Sequence, residues 1–292
     1  MFEQLGLIGC GLMGGSFALA LKRAGLVKRV VGYSKSPSTT AQARQLGVID
    51  IEAPSALLAV AGADIVLLAV PVAATEATFK SIKHLITPNT LVMDVGSTKR
   101  DVVDAARRAL REQVGSFVPA HPITGKEVSG VEHAVADLYT GKHVILTPIE
   151  RTQPEQVRRA TEVWSALQCH VMTMTPESHD AAFAAVSHLP HLIAFAMMHS
   201  MLTQPQGEEY LKLAGPGFRD FTRIAASDPR MWRDVLLANK EEVLAQSQAF
   251  RRTLQAMEHM IENQNGDALE GLITQASDAR TDWRMVSFKP QK

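Results

Sequence analysis

Short, unbroken apolar runs alternate with stretches of helical spacing through the first half of the chain. The runs fall at 5–8, 30–33, 65–70 and 91–95, and helical spacing fills 16–25, 39–46 and 99–110. Strands that are apolar on both faces and separated by helices predict a parallel sheet covered on both sides. Further runs at 116–119, 144–147 and 170–173 are candidates to extend that sheet, and Thr152 to Glu155 reads as a capping box opening one more helix.

From Pro176 onward the strand pattern stops. Thr175-Pro176 is a helix start, with Thr as cap and Pro in the first turn. Residues 189–202 are apolar almost all round, so a helix there has to be covered by something. Pro190 is expected to kink or break it. A second helix is expected over 229–263, about 50 Å long at 1.5 Å per residue. Leu236, Val243, Phe250 and Met257 recur along it every seventh residue, with Leu254 and Ile261 four residues after the last two. That is coiled-coil spacing. A homodimer built on this half is the economical expectation, and a bundle within one chain is the alternative. The border between an α/β domain (1–172) and an all-α domain (173–292) is placed near residue 172.

Composition narrows the class. Thirty basic residues balance thirty acidic ones over 292 residues, which argues against a sequence-independent nucleic-acid surface. Two cysteines, Cys10 and Cys169, make no disulfide framework, so a reducing, cytoplasmic setting is expected. The N-terminus has no basic segment ahead of an apolar run, and no apolar stretch reaches the roughly 18–20 residues of a membrane span. Neither a leader nor a membrane partner is expected.

The first chemical motif is Gly9-Cys10-Gly11-Leu12-Met13-Gly14. It follows a strand and opens a helix, the context in which glycines let a pyrophosphate approach backbone N–H groups. A Rossmann-type dinucleotide-binding domain follows from it. An NAD site usually places a carboxylate at the end of the second strand. Here Ser34, Lys35 and Ser36 stand there instead. A cation among hydroxyls suits the 2′-phosphate of NADP, with NAD still possible. Val70-Pro71 and the Asp94 to Lys99 segment end two further strands at the edge that faces ligand. Ser97 is either a helix cap or a hydroxyl aimed at the nicotinamide end. His121, held by Pro122 in a glycine-bearing loop, is either a general base or a buried structural histidine. His188 and His191 lie on the apolar helix and point to a pocket rather than a metal, since no cysteine or carboxylate cluster accompanies them. Arg223 is either a carboxylate clamp or a salt-bridge partner.

Taken together, the glycine motif, residues 94–99, His121 to Gly125, Ser187 to His191, and Asp220 to Arg223 with Ser227 to Pro229 and Trp232 resemble the prephenate/arogenate dehydrogenases of tyrosine biosynthesis. The resemblance covers nearly the whole chain. It implies oxidative decarboxylation of a cyclohexadienol with hydride transfer to a nicotinamide. It implies His121 as the base, Ser97 as its orienting hydroxyl, Arg223 and His191 on the substrate, Glu127 and Asp220 near the pocket entrance, and Trp232 beside the pocket. It also implies a homodimer through the helical domain. A regulatory or mutase domain of the kind some relatives carry is not expected after the helices. Lys126, beside Glu127, is expected to disfavour arogenate's ammonium and tolerate prephenate's keto acid. Two alternatives stay open. A β-hydroxyacid dehydrogenase would use a lysine of its helical half, and a non-catalytic NADP sensor would need neither His121 nor Arg223.

Overall fold

The structure is a computed structural model that describes residues 1–126 and 128–284. Six strands pair in parallel: β1 (Phe2–Ile8), β2 (Val27–Tyr33), β3 (Ile51–Glu52), β4 (Ile65–Leu68), β5 (Leu91–Asp94) and β6 (Phe117–Val118). Their spatial order is β3-β2-β1-β4-β5-β6, the doubly wound order of a dinucleotide-binding sheet. In the centre, Leu5 lies opposite both Val30 and Ile65. Successive residues of a strand face opposite sides of the sheet, and the core divides accordingly. Leu7 and Leu67 join one apolar cluster with Phe17 and Trp164, while Ile8 and Val66 join another with Phe79 and Leu110. Six helices supply the covering side chains: α1 (Leu12–Arg23), α2 (Pro37–Gln45), α3 (Ala56–Val60), α4 (Thr75–Ile82), α5 (Arg100–Leu110) and α6 (Pro154–Ala166).

The later runs do not all extend this sheet. Residues 117–118 do, as β6. The others form a second sheet, in which β7 (Ala120–Pro122) pairs antiparallel with β8 (His143–Leu146), and β8 pairs parallel with β9 (His170–Thr173). β7 follows β6 after a single residue but pairs with β8 instead of joining β5, so apolar runs that look alike in sequence end in different sheets. Thr152 does not cap α6. Its hydroxyl accepts from Ile149 N and donates to the Phe117 carbonyl, and Gln153 holds the cap position.

Beyond β9 the described chain is helical: α7 (Pro176–Phe183), α8 (Leu189–Leu202), α9 (Gly207–Lys212), α10 (Pro216–Thr222), α11 (Pro229–Ala238), α12 (Lys240–Glu262) and α13 (Gly266–Asp282). Thr175 caps α7 by accepting from Ser178 N at 3.1 Å, as its sequence predicts. Pro190 has no N–H to offer the preceding turn, and the backbone accommodates it with a π-helical turn over Ala184–His188 rather than a break. α7, that turn and α8 therefore run on as one helix, Pro176–Leu202, long and apolar enough to cross a membrane by length and composition. This apolar helix is longer than its sequence suggested, because Ser187, His188 and His191 interrupt the apolar run without interrupting the helix. The single helix expected over 229–263 is broken at Asn239, which lies between α11 and α12 with φ of −105° and ψ of 33°. By compactness the first unit runs from Met1 to Lys240, and the second begins at Glu241 and holds α13 and nearly all of α12. The border expected near residue 172 lies inside the first unit.

Candidate active site

The glycine turn between β1 and α1 is shaped by close backbone approaches. Gly9 adopts φ of +95°, and a Cβ there would lie 2.2 Å from the Ala69 carbonyl oxygen. A Cβ on Gly14 would lie 2.0 Å from the Gly9 oxygen. Gly11 differs, because a Cβ there would enter open space. It caps α1, whose first turn carries neither an acidic residue nor a side-chain cap. Open N–H groups at a helix start, approached across a glycine, fit a pyrophosphate. Cys10, buried, donates its N–H to Ser34 Oγ at 2.9 Å, tying the turn to the end of β2. Ser36 precedes α2 and its hydroxyl bonds that of Ser38 at 2.7 Å, with Lys35 beside it. The residues present fit a nicotinamide dinucleotide.

At the carboxyl end of β5, Asp94 is a structural hub. Its Oδ1 accepts from Ala120 N at 3.0 Å, and its Oδ2 accepts from Gly96 N at 2.8 Å and from Lys99 Nζ at 2.5 Å. Lys99, fully buried, also donates to the Ala120 carbonyl at 2.8 Å. These bonds pin the start of β7 to the end of β5, and so fix His121, the next residue. Val70 and Pro71 lie at the end of β4 beside β5, at the same edge. Ser97 is half-buried and does not cap α5. The carboxylate of Asp180 on α7 does so, accepting from Lys99 N and Arg100 N at 2.9 Å each.

His121 is buried, and its Nδ1 lies 2.8 Å from His179 Nε2. His179 Nδ1 in turn lies 2.8 Å from Asp180 Oδ1. Phe183 stacks on the His179 ring at 4.5 Å and tilts over His121 at 4.9 Å. Burial pushes the His121 pKa well below the usual histidine value, and the nearby charge sites of His179, Lys99 and His188 push it further. His121 is therefore a neutral imidazole at pH 7. Burial lowers His179 as well, against the pull of Asp180. Asp180 is held below the ordinary carboxylate range, where hydrogen bonds from His179 and two backbone N–H groups outweigh burial.

The π-turn and α8 supply the next layer. His188, buried and pushed by burial down to about 4, accepts from Asn239 Nδ2 at 3.1 Å. The same amide donates to the Asp180 carbonyl at 2.8 Å. His191 donates from Nδ1 to the Ser187 carbonyl at 2.9 Å and stacks on Trp232 at 3.6 Å. The Arg223 charge lowers the His191 pKa beyond the effect of burial, so the two are electrostatic neighbours. Other expected site residues stand apart. Asp220 is exposed and ion-paired with Arg219, and Lys126 donates to the His133 carbonyl at 3.1 Å on an exposed loop. Glu127 lies outside the described residues. The loop that follows His121 rests on α1, where Tyr139 Oη donates to the Met13 carbonyl at 2.7 Å and Ser16 Oγ accepts from Val135 N at 3.0 Å.

Sequence reasoning missed Asp180, His179 and Asn239. His179-Asp180 is visible as a polar pair on a predicted helix, but nothing local joins it to His121, 58 residues away. Asn239 gives a weak signal as a poor helix former inside a heptad pattern.

Residues 17–173 match the family described as prephenate dehydrogenase, nucleotide-binding domain, and residues 175–275 match prephenate dehydrogenase, dimerization domain. The chain belongs to the prephenate dehydrogenase family. It is 36% identical to the prephenate dehydrogenase of Bacillus subtilis (strain 168), over 96% of this chain and 76% of that one. It is 32% identical to the cyclohexadienyl dehydrogenase of Zymomonas mobilis, over 96% of each. Its structure is similar, with a TM-score of 0.89 at 36% identity, to prephenate dehydrogenase from A. aeolicus in complex with hydroxyphenyl propionate and NAD+, covering 97% of this chain and 98% of that one. As a member of this family the chain is an oxidoreductase with a nucleotide-binding domain followed by a helical dimerisation domain. The glycine motif lies ahead of residue 17, so the dinucleotide reading rests on the turn itself as well as on the family.

Proposed function

We propose that this protein oxidatively decarboxylates prephenate, arogenate or both, with His121 as general base and NADP, or NAD, as hydride acceptor. The observation that carries this reading is the buried His121, fixed to the carboxyl edge of the sheet by Asp94 and Lys99 in the segment leading to the loop that rests on α1. The nicotinamide supplies a hydride acceptor. His121 takes the proton of the ring hydroxyl as its carbon loses hydride, and the new ketone is a vinylogous sink for the electrons freed when CO2 leaves the opposite ring carbon. Aromatisation drives that loss. Ser97 orients the hydroxyl. Arg223 and His191 hold a carboxylate, with Trp232 as a wall and His188 behind them. Lys126, Glu127 and Asp220 are assigned to the approach to the pocket. Gly9, Cys10, Gly11, Leu12, Met13 and Gly14 cradle the pyrophosphate. Val70, Pro71 and Ser97 border the nicotinamide, and Ser34, Lys35 and Ser36 take a 2′-phosphate.

We place the functional border near residue 172, with the protein acting as a cytoplasmic homodimer. The long helix Pro176–Leu202 belongs in that dimer rather than in lipid. It bears the buried Asp180 carboxylate, and the exposed apolar side chains of α8 suit a second protein surface. The test is absorbance at 340 nm with prephenate and arogenate crossed against NAD and NADP. His121→Asn is expected to lower kcat by about 10²–10⁴-fold while dinucleotide binding persists. Dinucleotide binding without turnover in any of the four combinations would remove the reading.

A further inference from the structure

The buried hydrogen bonds behind His121 fix where its protons sit, and the chain of inference starts at Asp180. That carboxylate receives three hydrogen bonds, from Lys99 N, Arg100 N and His179 Nδ1. An ionised carboxylate only accepts, so His179 carries its proton on Nδ1. Its Nε2 is then a bare acceptor, and the 2.8 Å contact to His121 requires that His121 Nδ1 donate. Nε2 of His121 is left with a free lone pair. The tautomer in which His121 can act as a base is thus set by a carboxylate two residues along the hydrogen-bond chain.

We propose that His179 and Asp180 are the positioning and relay residues of this site: they hold His121 in its basic tautomer, and His179 takes over the proton His121 collects. The proposal rests on the dehydrogenase reading of His121. In the step, the O–H bond of the substrate's ring hydroxyl breaks as its proton goes to His121 Nε2, and the Nδ1 proton of His121 moves to His179 Nε2. His121 ends neutral with its proton on Nε2, and His179 becomes an imidazolium against Asp180. Within the histidine pair only these N–H bonds change, and the proton gained equals the one the hydroxyl loses. The charged and titratable groups facing the pair favour this resting place. Burial and Lys99 disfavour a cation on either ring, and His188 disfavours one on His121, but only His179 has the hydrogen bond and charge of Asp180, with the charge of Asp94, to oppose them. Phe183 lies against both rings, and both are buried.

The first measurement is ¹⁵N NMR of the histidine rings in the wild-type protein at neutral pH, which needs no variant. Both His121 and His179 are expected to be protonated at Nδ1, and His121 protonated at Nε2 would overturn the proposal. The second is the pH profile of His179→Gln, whose amide oxygen can still accept from His121 but cannot take up a proton. We expect kcat to fall roughly tenfold or more, less than the about 10²–10⁴-fold that loss of the base itself costs, with KM near wild type. The acid limb is expected to move to lower pH, because the pair titrates as a unit in the wild type and His121 alone is harder to protonate. A merely structural role would leave the acid limb in place, and an unchanged kcat and profile would overturn the relay. Asp180→Asn presents an amide N–H towards His179, reverses both tautomers and should cost on the order of 10⁴-fold in kcat, as the corresponding change does in serine proteases. If the wild type turns over neither substrate, the dehydrogenase reading fails, while the ring tautomers still report on the chain.

Discussion

α1 and α8 make an instructive pair. α1 has twelve residues, eight of them buried, and its cover comes from this same chain, where Phe17 meets Trp164 at 5.0 Å and Tyr139 at 6.4 Å. α8 has fourteen residues and is the more apolar of the two, yet only Ala194 is buried, and Met197 and Leu202 face outward. The more apolar helix is the less covered. Apolar content therefore states that a surface must be removed from water, not which molecule removes it. In α1 the sheet does so. In α8 the proposed second copy does so, consistent with the dimerization-domain match over 175–275. The second unit carries the same signature on its own, with Phe250, Leu254 and Ile261 of α12 all exposed on the single chain.

This contrast can be broken most forcefully in the nucleotide-binding half. Phe17→Ala should destabilise the protein by about 3–5 kcal/mol, a cost set by the cavity left under Trp164. Urea unfolding should show that loss equally at low and high protein concentration, and a concentration-dependent loss would break the contrast. Met197→Asp attacks the other region. Each copy would lose roughly 1.5–3 kcal/mol of apolar burial and face a like charge across the interface. Sedimentation should show dissociation at concentrations where the wild type stays associated, with the nucleotide domain still folded. Unaltered association would show that α8 is not the covered surface.

Acid gives the most localised effect. His121, His179 and His188 are all held below the unfolded histidine value of about 6.5, the last at about 4. Between those limits the unfolded chain binds protons that the folded one refuses. Stability is then fully present above about pH 6.5 and falls on acidification, by at most about 1.4 kcal/mol per pH unit for each group. Because these rings lie on β7, α7 and the π-turn, hydrogen exchange at pH 5 should open α7 before β1. Simultaneous opening would erase the distinction.

What could be read from the sequence follows from how local each feature is. The glycine turn is legible because strand, turn and helix are consecutive, and Gly9 and Gly14 answer to close approaches within a few residues or from one neighbouring strand. The parallel sheet is legible because buried strands are apolar without alternation, as in β4 and β5. The second sheet is not, since the change of pairing partner between Val118 and Ala120 leaves no mark on hydrophobicity. His121 is legible as a candidate, but the partners that define its chemistry come from α7 and are joined to it only by folding. Asn239 breaks a seven-residue pattern that otherwise runs on, because its amide is needed by Asp180 and His188 more than by the helix.

Asp180 has a consequence for how this protein could be cut or recombined. Its carboxylate sits on a helix of the α-helical half, yet it terminates α5 of the nucleotide-binding half. A fragment ending at residue 172 would keep every strand of both sheets except the end of β9, and would lose the group that satisfies the first N–H groups of α5. Hybrids that join this nucleotide half to a relative's helical half inherit the same constraint. The seam that looks cleanest by strand and helix content passes through a shared ion, so exchange succeeds only where the incoming helix restores a carboxylate at that register.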